Sequence, residues 1–410
     1  MLVLVKLFLQ QRNQQKKNGE IMVTRFTIPR DVYFGDGASE YLETVDAKRA
    51  FIVYGSERME KDGTISMLKN HLAKAGVETE TFSGITHDPS VAEVKAGVAK
   101  MNEFQPDLII GIGGGSPIDA AKAMWIFYEY PELTFEEAAK PFSLPTLRNK
   151  AHFIAVSTTS GTATEVTSFS VITDEKTGIK YPIADYNVTP DVAILDTTLV
   201  EKLPAFLVAN TGMDALTHAI EAYASTVANP YTDALAMKSI EMIKDYLVAS
   251  FEGDMEARKQ MHIAQNLAGM AFSNAILGIA HSMAHKFGKK FDVPHGMANA
   301  IFLPHTIEFN AKTAPAKYAD IARRLNFEGS NDEELIASLI TWINSLKTAM
   351  SMAQSLQEFG VDEEKFLAEL PELAETAVGD PCTGTNPREI NNEEMAKVYR
   401  ASYYNEVVNF

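Results

Sequence analysis

Between residue 49 and about residue 200, short β-rich runs alternate with amphipathic stretches; beyond that point the strand signal stops. AFIVY (50–54), VETETF (77–82) and DLIIGIGG (107–114) read as strands. GTISMLKNHLAKAG (63–76), SVAEVKAGVAKMNEF (90–104) and SPIDAAKAMWIFYEY (116–130) read as the helices between them, the first stopped by Gly76. HFIAVS (152–157), SFSVIT (168–173) and VAILD (192–196) add further strands. Apolar strands alternating with helices predict a parallel sheet covered on both faces. From FLVANTGMDALTHAIEAYAS onward every segment is helix-periodic, including 332–359, so an α/β domain at 22–200 is followed by an all-α domain at 201–410. A cleft between the two is the expected ligand site.

The helical half concentrates the chemistry. Asp214 and His218 are four apart and leave one face of one helix; His281 and His285 repeat the spacing on a second, and His295 follows between Pro294 and Gly296. A carboxylate with three imidazoles suits Fe, Zn or another divalent transition metal. Only one of His281 and His285 is needed to complete four ligands, which leaves the other for proton transfer. Taken singly, an aspartate near a helix start is ordinarily a cap and a histidine pair is ordinarily packing. His305 has a structural reading, and the methionines at 237, 242, 261 and 270 read as adaptable core.

In the α/β half, GIGGGSPIDAAK (111–122) joins a strand to a helix. Its glycines let a ligand approach the backbone, and the helix start offers free N–H groups to phosphate. Ser116 reads as the N-cap, Pro117 as the first helical residue and Asp119 as the capping-box acid. This is not the GxGxxG fingerprint, and a capped tight turn without ligand explains the glycines equally well. The polar turn STTSGTATE (157–165) follows another strand, and two such turns favour a dinucleotide.

The net charge of −17 leaves no basic surplus for nucleic acid or an anionic membrane. The single cysteine, Cys382, excludes a disulfide framework and reads as a loop thiol of a cytoplasmic protein. MLVLVKLFLQ at the start is far shorter than the roughly 20 residues of a membrane span, and the stretch lacks signal-peptide character. Gly19-Glu20 can be encoded by a purine-rich ribosome-binding sequence before Met22, so residues 1–21 are read as translated leader.

GGGSPIDAAKAMW, STTSGTATEVTSFSVIT, GMDALTHAIEAY and HSMAHKFG followed by PHGMANA occur in an order and spacing that resemble the iron-dependent (group III) alcohol dehydrogenases. The resemblance runs from Met22 onward and is nearest the NADP(H)-linked butanol dehydrogenases and the alcohol dehydrogenase half of bifunctional aldehyde/alcohol dehydrogenases. It implies a dehydroquinate synthase-like architecture, with a Rossmann-like parallel-sheet domain before a helical metal-binding domain. It implies metal ligation by Asp214, His218, His281 and His295, with Fe(II) as the metal and Zn as a substitute, and His285 beside substrate and nicotinamide. Gly113, Gly114, Gly115, Ser116 and Asp119 would hold pyrophosphate and ribose. Thr158, Thr159 and Thr162 would line the nicotinamide side, and Lys180 would reach a ribose hydroxyl. NAD-preferring relatives carry an aspartate after the first strand, where this chain has Gly55-Ser56 with Arg58 and Lys61 nearby; that favours NADP(H) over NAD(H), against the nearby Glu57.

The implied activity is hydride transfer between NADP(H) and short primary alcohols or aldehydes of the butanol/butanal type, in a homodimer or higher homo-oligomer pairing through FTIPRDVYFG (26–35). Other readings are an NAD-dependent relative acting on a diol or hydroxyaldehyde, a cyclising enzyme resembling dehydroquinate synthase, and a non-catalytic oligomeric scaffold. The second needs a basic carboxylate-binding pocket that the ligand-bearing segments do not suggest.

Overall fold

The computed structural model describes residues 24–410 except 177 and 179, so the leader assigned to 1–21 lies outside the described residues. The chain forms two compact units, one of Thr27–Leu203 and one containing Pro204–Phe410.

The first unit is built on a six-stranded parallel sheet, ordered β1-β8-β5-β4-β2-β3. Its strands are β1 (Asp31–Gly35), β2 (Arg49–Tyr54), β3 (Glu78–Phe82), β4 (Leu108–Gly113), β5 (His152–Ser157) and β8 (Val192–Asp196). In the four inner strands side chains alternate between two buried faces, as a parallel sheet covered on both sides requires. Phe51, Ile109 and Phe153 stand in register on one face and pack with Trp125 and Met124. Ile52, Ile110, Ile154 and Val192 form a row on the other, packed with Leu68 and Leu72. Burying each such side chain contributes about 1.5–3 kcal/mol, and a slip of one residue would exchange the two faces, so the pattern itself enforces this register.

Three helices flank these strands: α1 (Thr64–Lys74), α2 (Val91–Phe104) and α3 (Gly115–Glu129). Helix α2 starts in a capping box in which Ser90 Oγ accepts from Glu93 N at 3.1 Å and Glu93 Oε2 accepts from Ser90 N at 2.6 Å. The strand predicted at 168–173 forms, but outside the parallel sheet. As β6 (Phe169–Thr173) it pairs antiparallel with β7 (Lys180–Ala184) in a two-stranded ribbon.

The second unit is helical over its described length after Pro204: α4 (Ala205–Ala224), α5 (Pro230–Glu252), α6 (Met255–Ala275), α7 (Ile279–Phe291), α8 (His295–Ala311) and shorter helices beyond. The periodic stretch 332–359 is not one helix. Asp332–Ala349 stops where Ser351 adopts φ 55°, and Ser355 caps a separate turn at Leu356–Phe359. Periodicity survives the interruption because both pieces bury the same kind of face. Among the described residues no single helix is long and apolar enough to cross a membrane.

Candidate active site

Three helices, α4, α7 and α8, supply the metal-ligating candidates. Asp214 and His218 sit in the middle of α4, so Asp214 is no cap. His281 lies in the first turn of α7, and His295 is the first residue of α8. Two tight breaks bring these helices to one place. Ile276, between α6 and α7, takes φ 59°, a costly conformation for a β-branched residue, and is held there by Ile276 N donating to Phe272 O at 2.7 Å. Thr385 Oγ1 clamps Leu277 O at 2.6 Å, and Asn386 Oδ1 accepts from Ile279 N at 3.3 Å. At the start of α8, a Cβ on Gly296 would lie 2.0 Å from the Asn210 carbonyl oxygen, so the backbones of α4 and α8 touch beside His295.

The donor atoms converge. Asp214 Oδ1 is 3.5 Å from Nε2 of both His281 and His295, and one ligand atom each from Asp214, His218 and His281 falls within a 4.8 Å group. His218 is stacked between Phe272 (4.2 Å) and His281 (4.4 Å), with Nδ1 buried and unpaired. Asn299 Nδ2 lies 2.7 Å from Asp214 Oδ1 and 3.1 Å from Nε2 of His281 and of His295. The Asn299 amide nitrogen therefore stands within hydrogen-bond distance of one atom each from Asp214, His281 and His295. The donor set fits a divalent transition metal.

The electrostatics agree. Burial alone would protonate Asp214, but His218, His295 and His281 hold it well below the usual carboxylate range. Burial pushes His218 down to about 3 despite Asp214, leaving a neutral imidazole ready to ligate. His281 goes the other way, to about 9: its burial is outweighed by Glu221 and Asp214. Glu221 Oε2 accepts at His281 Nδ1 (2.5 Å), while Oε1 accepts from Ala280 N (2.8 Å), which turns Nε2 toward Asp214. Neither Glu221 nor Asn299 was singled out in the sequence, although Glu221 lies one helical turn beyond His218.

His285 is one turn past His281, its side chain 39% exposed and its ring parallel to that of His295 at 5.6 Å. Its Nδ1 is 3.2 Å from Asp380 Oδ2, which Lys286 Nζ also approaches at 2.8 Å. Cys382, read as a loop thiol, is buried in a 3-10 turn beside them, and burial together with Asp380 raises its thiol pKa further.

The cofactor candidates all belong to the first unit. Gly113 takes φ 146°, and a Cβ there would lie 2.7 Å from Pro117. Gly114 and Gly115 leave room only for Thr159 and Thr162, whose side chains a Cβ would meet at 3.2 and 3.3 Å, while Thr158 N donates to Gly113 O at 2.9 Å. The two polar turns thus form one surface at the carboxyl ends of β4 and β5. Gly55 joins it from β2, a Cβ there being 3.1 Å from Pro117. β2 and β4 flank the point where chain order reverses, the usual place for a nucleotide in such sheets. Buried Lys122, overlooked in the sequence, moors the second turn by donating to Thr164 O (2.8 Å), Thr167 O (2.7 Å) and Phe169 O (2.9 Å).

Two capping expectations are corrected. Gly114, not Ser116, is the N-cap of α3; Ser116 lies in the first turn, its hydroxyl donating to His87 O. Asp119 is no capping-box acid, because it points to the ribbon and accepts from Val171 N at 3.1 Å. Lys180 lies on the ribbon and pairs with Asp88 at 3.3 Å, and Ser56 Oγ accepts from Arg58 N at 3.1 Å. Glu57, the acid that weighed against NADP(H), pairs with Lys61 at 3.2 Å.

The family model of iron-containing alcohol dehydrogenases matches residues 29–197, and the C-terminal model of the Fe-containing family matches 208–403. The chain belongs to the iron-containing alcohol dehydrogenase family, and is an oxidoreductase that interconverts alcohols and aldehydes. It is 54% identical over 386 residues to an NADPH-dependent butanol dehydrogenase of Clostridium saccharobutylicum, covering 94% of this chain and 100% of that one. A bifunctional aldehyde-alcohol dehydrogenase of Escherichia coli K12 is 42% identical, covering 92% of this chain but 46% of that protein. Among solved structures, a 1,3-propanediol oxidoreductase superposes with TM-score 0.88 at 36% identity (93% of this chain, 100% of that one). An iron-containing alcohol dehydrogenase from Thermococcus thioreducens gives 0.86 at 36% identity with the same coverage.

Two outcomes follow from this geometry. Below about pH 9 the metal-free His281 carries a proton that a metal must displace, whereas Asp214 is already ionised and His218 already neutral. Zinc affinity, measured by competition with a chromogenic chelator, should rise about tenfold per pH unit from 7 toward 9 and then level off; a flat profile contradicts the role of His281. Gly296→Ala should push α8 from α4, weakening zinc binding by at least about tenfold and destabilising the unit by about 1–3 kcal/mol. Wild-type affinity in that variant would mean the close approach does not position His295.

Proposed function

We propose that the protein is an NADPH-linked, iron-dependent reductase of short primary aldehydes, working in reverse as a butanol-type alcohol dehydrogenase. The observation that carries this is the convergence of buried Asp214, His218 and His281 with the partly exposed imidazole of His295, in a chain that matches an NADPH-dependent butanol dehydrogenase over 94% of its length. When bound by these four residues, Fe(II), or Zn(II) in its place, supplies Lewis-acid polarisation of the substrate oxygen.

The chain's own groups do the rest. Asp214 contributes the negative charge that holds the cation, and Glu221 fixes the ring of His281. The N–H groups of Gly114, Gly115 and Ser116 at the start of α3 bind the cofactor's pyrophosphate. Thr158, Thr159 and Thr162 orient the nicotinamide, with Lys180 and Asp119 on the ribose side. After β2, Gly55 and Ser56 present no carboxylate to a 2′-phosphate and Arg58 lends positive charge, while Glu57 and Lys61 offset each other as an ion pair. His285 is the proton carrier, partly exposed so that it can exchange with water. A cytoplasmic setting accords with the lone thiol of Cys382.

The test is anaerobic butanal reduction with Fe(II) or Zn(II), NADPH and NADH in parallel and a 3-hydroxyaldehyde as competing substrate, since a 1,3-propanediol oxidoreductase shares the fold. Metal-dependent oxidation of NADPH, at least about tenfold faster than of NADH, is expected. Equal rates would overturn the cofactor preference, faster turnover of the hydroxyaldehyde would favour the diol reading, and no turnover at all would favour a scaffold.

Assembly is proposed through β1. It is an edge strand with Phe34 65% and Tyr33 38% exposed, and such an edge pairs readily with a second copy. Gel filtration should give a dimer or larger; monomer alone at micromolar concentration would remove this.

A further inference from the structure

We propose that Asp380 is a positioning residue for proton transfer at His285, setting which ring nitrogen of that histidine exchanges the proton. The inference rests on the reading of His285 as proton carrier. Asp380 reaches it from 95 residues away and is buried, whereas His285 is partly exposed. The carboxylate is fixed from both ends. Oδ1 accepts from Cys382 N at 3.0 Å, capping the turn Pro381–Thr385, and Oδ2 faces His285 Nδ1 and Lys286 Nζ. The turn is itself anchored on α7, where Thr383 Oγ1 meets Ser282 Oγ at 2.8 Å. Asp380 therefore cannot turn away from His285 without undoing a cap.

An ionised carboxylate only accepts hydrogen bonds. Burial alone would favour protonated Asp380, but His285 and Lys286 hold it well below the usual carboxylate range. A neutral His285 must then keep its proton on Nδ1 and present the Nε2 lone pair. Lys286 matters here: its ammonium neutralises Asp380, so the carboxylate does not require a permanent imidazolium beside it. In the oxidising direction the alcohol's hydroxyl proton passes to Nε2 and on to water, while the carbon-bound hydrogen leaves as hydride to NADP⁺. In the reducing direction Nε2–H returns a proton to the oxygen as NADPH supplies the hydride.

Asp380→Asn keeps an oxygen for the Cys382 cap but loses the charge that selects the tautomer. In iron-loaded enzyme we expect kcat for butanal to fall about a hundredfold, with KM for butanal and NADPH within about threefold and metal content unchanged. In a His285→Gln background the same substitution should cost nothing further, because Asp380 acts through His285. An equal loss in both backgrounds overturns the inference and makes Asp380 merely structural. Full activity of His285→Gln alone would instead sink the proton-carrier reading. A readout needing no variant at Asp380 is 15N NMR of zinc-loaded protein labelled at histidine, with the His285 signal assigned by its loss in His285→Gln. An Nδ1–H tautomer is expected; Nε2–H overturns the inference even if Asp380→Asn fails to fold.

Discussion

The helical unit is organised around the cost of burying the Asp214 carboxylate in mid-helix. At 4% exposure it has lost its water, and a lone buried carboxylate would take up a proton. Here it stays ionised because three imidazoles and the Asn299 amide converge on it, and each partner must come from a different turn or helix. The kinked exit from α6, the clamps of Thr385 and Asn386 and the side-chain-free Gly296 are what allow α4, α7 and α8 to meet that demand. Backbone strain at Ile276 is tolerated because several hydrogen bonds surround it.

The same logic explains what could be read from the sequence. Spacings of four put Asp214 with His218, and His281 with His285, on common helix faces, and alternating apolar runs marked the parallel sheet. Both signals are local, since each depends on the geometry of one element. Glu221 and Asn299 escaped notice because their significance comes from what they touch in three dimensions: one orients a ring on another helix, the other fills the space among three donors. Asp380 is farther still, reaching His285 across 95 residues.

The corrected elements have equally physical causes. Ser116 has the composition of an N-cap, yet α3 begins two residues earlier than a Ser116 cap allows because Gly114 can adopt the extended conformation pressed against Thr159. Asp119 looked like the acid of a capping box but found a free backbone N–H on the ribbon, a partner that sequence spacing cannot reveal. The ribbon itself was visible as a strand. Its departure from the parallel sheet was not, because alternation within a strand says nothing of its neighbour's direction.

The metal-ligating candidates all fall after Pro204, and the glycine and threonine turns all before Leu203. Each kind of chemistry is thus written in an uninterrupted length of gene. Recombination near that boundary could exchange one nucleotide-handling half for another while passing on the metal-holding half intact. In such a chain the reducing currency and the reaction it drives are separately heritable.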